Sequence, residues 1–112
     1  MNEASFQRDI LDLGVALRLR IYHTHDSRRS ESGFPDLVIV GANGVLFREL
    51  KTQTGRLSPK QKFWLAILHH AGCDVGVWRP SDWPEPIVHE MKGLGRLTID
   101  APAERRIPRK RA

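Results

Sequence analysis

With a single cysteine, Cys73, in 112 residues, the chain cannot form an internal disulfide or a cysteine-built zinc cage. Cys73 reads as a small buried residue at a helix-to-strand junction, in keeping with a reducing compartment. No stretch approaches the roughly 20 apolar residues of a bilayer-spanning helix, so no membrane partner is expected. The first residues carry Glu3 and Asp9 without a basic-then-apolar signal, so export is not expected and the product is expected to stay inside the cell. Internal repeats are absent, and no nucleotide cofactor is expected. The mean hydropathy of -0.40 and the hydrophobic share of 40% fit a globular fold with a modest core.

Acidic residues are the minority, 13 against 18 basic, for a net charge of +5. The excess is concentrated at one end. Residues 101–112 hold Arg105, Arg106, Arg109, Lys110 and Arg111 against Glu104 alone, so the body is nearly balanced. Residues 1–100 are therefore expected to form one domain and residues 101–112 a flexible basic tail. Such a tail either engages phosphate backbones non-specifically or serves only to solubilise.

The body has its clearest pattern between positions 35 and 51. Two apolar runs, Asp36-Leu37-Val38-Ile39-Val40 and Val45-Leu46-Phe47-Arg48-Glu49-Leu50-Lys51, flank Gly41-Ala42-Asn43-Gly44, the signal for a β-hairpin. A loop centred on Ala42-Asn43 sets Asp36 opposite Glu49; a turn at Asn43-Gly44 sets Asp36 opposite Lys51. Side chains alternate along a strand, so both registers put Asp36, Glu49 and Lys51 on one face. Like charges paired across a ladder repel, and a cation between them relieves that. Mg²⁺ is typically held by one or two carboxylates together with water and substrate phosphate. The alternative is a strand-start aspartate beside solvent-facing charges, but the flanking Val, Ile, Leu and Phe mark a buried, central hairpin.

The rest of the chain supplies flanking layers. Phe6, Ile10, Leu13 and Leu17 recur at helical spacing, predicting a helix over 3–17. Glu3 opens this helix, where it either complements the dipole or points into the site. Residues 19–24 alternate as a strand. Residues 25–34 form a polar loop whose Arg28 and Arg29 suit phosphate contacts. His23, His25 and Asp26 lack a further ligand at clear spacing, and zinc is not expected. Ser58-Pro59-Lys60-Gln61 opens a helix over 59–71, with Ser58 as N-cap and Gln61 closing a capping box. Gln61 also shares the inward stripe of Trp64, Leu65 and Leu68, so capping and support of the site both stand. Lys60 and Lys62 lie beside it and are candidate contacts for an anionic substrate. Gly72 ends the helix. A strand over 74–78 completes a βαβ crossover, and a short helix is expected around Ile87–Met91. Trp78 is expected in the core. Together these predict an α/β fold, a small mixed sheet flanked by helices.

The pattern Pro35-Asp36 followed by Glu49-Leu50-Lys51 resembles the PD-(D/E)XK nuclease signature. Glu3 in an opening helix, the run from His23 to Ser30, Gly33-Phe34-Pro35-Asp36, Gly55-x-Leu57-Ser58-x-x-Gln61-x-x-Trp64 and Val77-Trp78-Arg79-Pro80 sharpen the likeness towards its VRR-NUC branch, the virus-type replication-repair nucleases. The resemblance covers about residues 3–83. It implies a restriction-endonuclease-like core of order α-β-β-β-α-β. It also implies Mg²⁺ or Mn²⁺ held by Asp36, Glu49 and the Leu50 carbonyl. Lys51 would orient water or stabilise phosphate charge, and Glu3 and Gln61 would support the site. The implied activity is structure-selective DNA endonuclease cleavage, with four-way junctions cut by a homodimer. A non-catalytic DNA-binding module, and a flap, nicking or restriction-type nuclease, are the alternatives.

Overall fold

The computed structural model describes residues 2–24 and 31–99. His25, Asp26, Arg28, Arg29 and the basic tail lie outside the described residues. Helix α1 spans Glu3–Ala16, and strand β1 spans Arg20–His23. The hairpin is β2, Leu37–Gly41, and β3, Gly44–Leu50. Helix α2, Pro59–His70, leads to β4, Asp74–Trp78, and helix α3 covers Ile87–Gly93. The sheet order is β1-β2-β3-β4; β1, β2 and β3 are antiparallel neighbours and β3 pairs with β4 in parallel. This is the expected mixed sheet, with the hairpin at its centre. The loop is Ala42-Asn43, because Val40 faces Val45 and Gly41 faces Gly44.

The two sheet faces differ. Leu37, Ile39, Leu46 and Leu50 join Phe6 and Ile10 of α1 and Ile87 and Met91 of α3 in one buried cluster. Each such apolar side chain stabilises the fold by roughly 1.5–3 kcal/mol. Trp78 is in this core, and Trp83 packs against it half-buried. α1 begins where Asn2 caps it, its Oδ1 accepting from the Ser5 N–H at 2.8 Å. The other sheet face is covered by α2, which has no fully buried residue. Phe34 stands edge-on to both Trp64 of α2 and Phe47 of β3, with centroids 5.1 and 6.2 Å away. Gly72, at φ 91°, ends α2 in the left-handed region that a Cβ disfavours. Cys73 sits at the junction expected of it, but half-buried, because α2 lies at the open edge of this layer.

Arg48 is only 5% exposed although β3 points it into the apolar layer. Its Nη2 meets Asp74 Oδ1 and Glu90 Oε1, both at 2.8 Å, and its Nη1 donates to the Asp74 carbonyl at 2.9 Å. The guanidinium also lies over the Trp78 ring, 5.2 Å from its centroid. One side chain thus ties β3 to β4 and α3. Asp74 and Glu90 keep contact with water, so Arg48→Ala is expected to lower stability by about 1–3 kcal/mol. Chemical denaturation checks this.

Candidate active site

The hairpin register builds the site. Leu37 pairs with Arg48, so the next rung brings Asp36 opposite Glu49, just beyond the last pair of the ladder. Two hydrogen bonds fix the carboxylates. Asp36 Oδ2 accepts from the Leu50 N–H at 2.9 Å, and Glu49 Oε2 accepts from Gln61 Nε2 at 2.9 Å. Asp36 is half-buried and Glu49 only 3% exposed. Glu49 Oε1 is buried with no hydrogen-bond donor. The Glu49 carboxyl is pushed up to about 8, first by burial and then by the neighbouring Asp36 carboxylate; Lys51 pulls it partly back.

A buried carboxylate oxygen without a donor, facing a second carboxylate, could serve as part of the donor set of a divalent cation that fills its coordination with water and further oxygen ligands. Among the described residues no group of three or more His, Cys, Asp or Glu gathers. Main-chain, water or phosphate oxygens could complete such a coordination, the oxygen set that Mg²⁺ and Mn²⁺ take. The Leu50 peptide is already tied to Asp36 through its N–H. Lys51 follows on the same face as Glu49, half-buried, its backbone N–H held by the Trp78 carbonyl at 3.1 Å.

Gln61 closes the capping box and bonds Glu49 at the same time. The Ser58 N–H donates to Gln61 Oε1 at 2.9 Å, the Gln61 N–H donates to Ser58 Oγ at 3.1 Å, and Nε2 is left for Glu49. The start of α2 is thereby fastened to the carboxylate pair. Ser58→Ala, which removes only the cap, is expected to lower stability by about 1 kcal/mol and leave the Gln61–Glu49 bond in place. Gln61→Ala also frees Glu49 and is expected to cost more, about 1–3 kcal/mol, because a second oxygen of the buried carboxylate loses its donor. Chemical denaturation of the two variants separates these effects.

The flanks of α2 differ. On one side Arg56, Lys62 and Arg79 line an open polar cleft of about 410 Å³ with Gln53 and Gly55. Arg79 braces this loop: its Nη1 donates to the carbonyls of Thr52 at 2.6 Å and Gly55 at 2.7 Å. On the other side Lys60 lines a smaller cleft with Phe63 and Trp64. Lys60 and Lys62, both exposed, are thus parted by the helix. Glu3 is exposed in the first turn of α1 and does not gather with Asp36 and Glu49. Arg56 and Arg79 had no part in the expected site, yet they line the open polar cleft. Their signal was available only as basic residues just beyond Lys51 and β4.

The VRR-NUC domain family profile matches residues 2–82. A curated relative, the Fanconi-associated nuclease 1 homolog of Schizosaccharomyces pombe (strain 972), is 39% identical over 70 residues, 61% of this chain. The match spans about a tenth of that protein's length, 10%. A solved structure described as a VRR_NUC domain protein superposes with a TM-score of 0.62 at 21% identity, covering 86% of this chain and 92% of the other. A second, described as a VRR_NUC domain, gives 0.57 at 25% identity, covering 67% and 81%.

Proposed function

This chain belongs to the VRR-NUC domain family, and on that premise we propose that it is a Mg²⁺- or Mn²⁺-dependent, structure-selective DNA endonuclease that hydrolyses phosphodiester bonds, acting at four-way junctions as a homodimer. The observation that carries this is the buried Glu49–Asp36 pair, with one carboxylate oxygen left without a donor and Lys51 beside it. Asp36, Glu49 and the Leu50 carbonyl would hold the cation. When bound, it neutralises phosphate charge and lowers the pKa of the attacking water.

This chain's own residues do the rest. The Leu50 N–H and the Gln61 amide each hold one carboxylate in a fixed orientation, so little reorganisation is needed when substrate arrives. The Lys51 ammonium orients the attacking water or stabilises charge building on the phosphate. Arg56, Lys62 and Arg79 suit phosphates flanking the cut. The homodimer rests on symmetry: a four-way junction needs two matched cuts. A DNA substrate also implies an intracellular site of action. Among the described residues no helix is long and apolar enough to cross a membrane.

The test is a ranking of matched four-way, flap, linear duplex and single-stranded DNAs, with Lys51→Ala alongside and sedimentation at the assay concentration. Faster cutting of four-way DNA by a dimer, lost in Lys51→Ala, is the expected result. Preferential flap cutting by a monomer would replace junction resolution with flap cleavage.

A further inference from the structure

Phe63 is 64% exposed, although it is a large aromatic side chain on a helix whose next residue, Trp64, is held in the aromatic contact with Phe34. Leaving such a ring in water forgoes roughly 1.5–3 kcal/mol of burial, so its position invites a ligand. The ring forms one wall of a cleft of about 270 Å³ whose other lining residues are Glu31, Ser32, Pro59, Lys60 and Trp64. That is just under the roughly 300–1,000 Å³ of pockets that enclose a drug-sized molecule, a size for one planar heterocycle.

The cleft is joined to the candidate active site twice. Gln61, between Lys60 and Phe63 in the chain, is bonded to Glu49. Gly33, three residues before Asp36, lies so close to α2 that a Cβ there would stand 2.7 Å from the Lys60 carbonyl carbon and oxygen. The floor of the cleft and the carboxylate pair therefore share the first turn of α2. The chemistry around the ring is mixed: a flat apolar face, a lysine for a phosphate, and the Ser32 hydroxyl and Glu31 carboxylate as acceptors for exocyclic amino groups.

We propose that this cleft receives an unpaired nucleobase of the DNA beside the cut, stacked on Phe63 with its phosphate at Lys60. The proposal rests on the nuclease reading above and deepens it, because it names the feature of branched DNA that is read. With the Arg56–Lys62–Arg79 cleft on the opposite flank of α2, duplex backbone would lie on one side of the carboxylate pair and a splayed base on the other. A second protein surface is the less suitable occupant. On α2 the exposed large apolar residues are Phe63 and Ile67, far short of the roughly 800 Å² that a stable partner covers on each side.

The test reads binding, so it stands apart from cleavage. The full chain is titrated in chelator into two DNAs carrying 2-aminopurine, one with the probe base unpaired at a branch and one fully paired. Stacking predicts quenched probe fluorescence and affinity for the unpaired form tighter by roughly five- to 100-fold. Phe63→Leu should lose this preference and Phe63→Trp should keep it, with circular dichroism confirming that both fold. Equal affinity for the two DNAs, or full preference retained by Phe63→Leu, would overturn the proposal. So would a Phe63→Leu that dissociates a dimer without changing base preference, since the ring would then belong to a subunit interface. Loss of cleavage in an otherwise base-selective protein would sink the nuclease reading and leave this one standing.

Discussion

Asp36→Asn is expected to lower the single-turnover cleavage rate by about 10³-fold or more while leaving the fold and DNA binding in place. Removing the charge takes away one side of the cation site, and a cation at a phosphate contributes several kcal/mol of transition-state stabilisation, each 1.36 kcal/mol being tenfold in rate. The fold should persist because an asparagine Oδ1 can still accept from the Leu50 N–H. The substitution also removes the negative charge that repels Glu49. A rate within tenfold of wild type would place the chemistry elsewhere.

Glu49→Gln should behave in the opposite sense in two assays: cleavage is lost and metal-free stability at alkaline pH is gained. The Glu49 carboxyl titrates at about 8 in the fold against an ordinary 4.5. A group raised in this way contributes stability that is full below about pH 4.5 and is lost as pH rises through about 8. Metal-free wild type should therefore lose stability relative to Glu49→Gln between about pH 5 and about pH 9, by on the order of 1–3 kcal/mol. The difference between the two melting curves isolates this from other titrating groups. Saturating Mn²⁺ should shrink the gap, because a bound cation favours the ionised carboxylate and stabilises the fold that holds it. A gap that is flat with pH would mean that Glu49 is ionised at ordinary pH without help.

The hairpin was legible because its two signals are local. Alternating apolar residues and Ala42-Asn43 between glycines fix strands and turn, and parity alone then puts Asp36, Glu49 and Lys51 on one face. The choice between the two registers was not legible, since Asn43-Gly44 is as good a turn on composition; packing of the rest of the sheet decides it. The helices followed from their stripes and from Ser58 and Gly72. Arg48 was unreadable as a core residue, because a charge within a strand looks like a solvent position until Asp74 and Glu90 are brought to it from distant segments. Gln61 could be read as cap or as site residue, and only the approach of α2 to β3 shows that the capping residue also bonds Glu49. Arg79 is the extreme case: its partners, Thr52 and Gly55, lie more than twenty residues away. No periodicity marks such a contact. Glu3 illustrates the converse, a residue whose chain position suits two roles and which stands exposed in the first turn of α1.

The measurement that bears most directly on a cation-driven nuclease is cleavage of one branched and one linear DNA by the wild-type protein in Mg²⁺, in Mn²⁺ and in EDTA, side by side. Products in either metal and none in EDTA are the predicted result. Cleavage that survives chelation, or binding without cleavage in both metals, would contradict it.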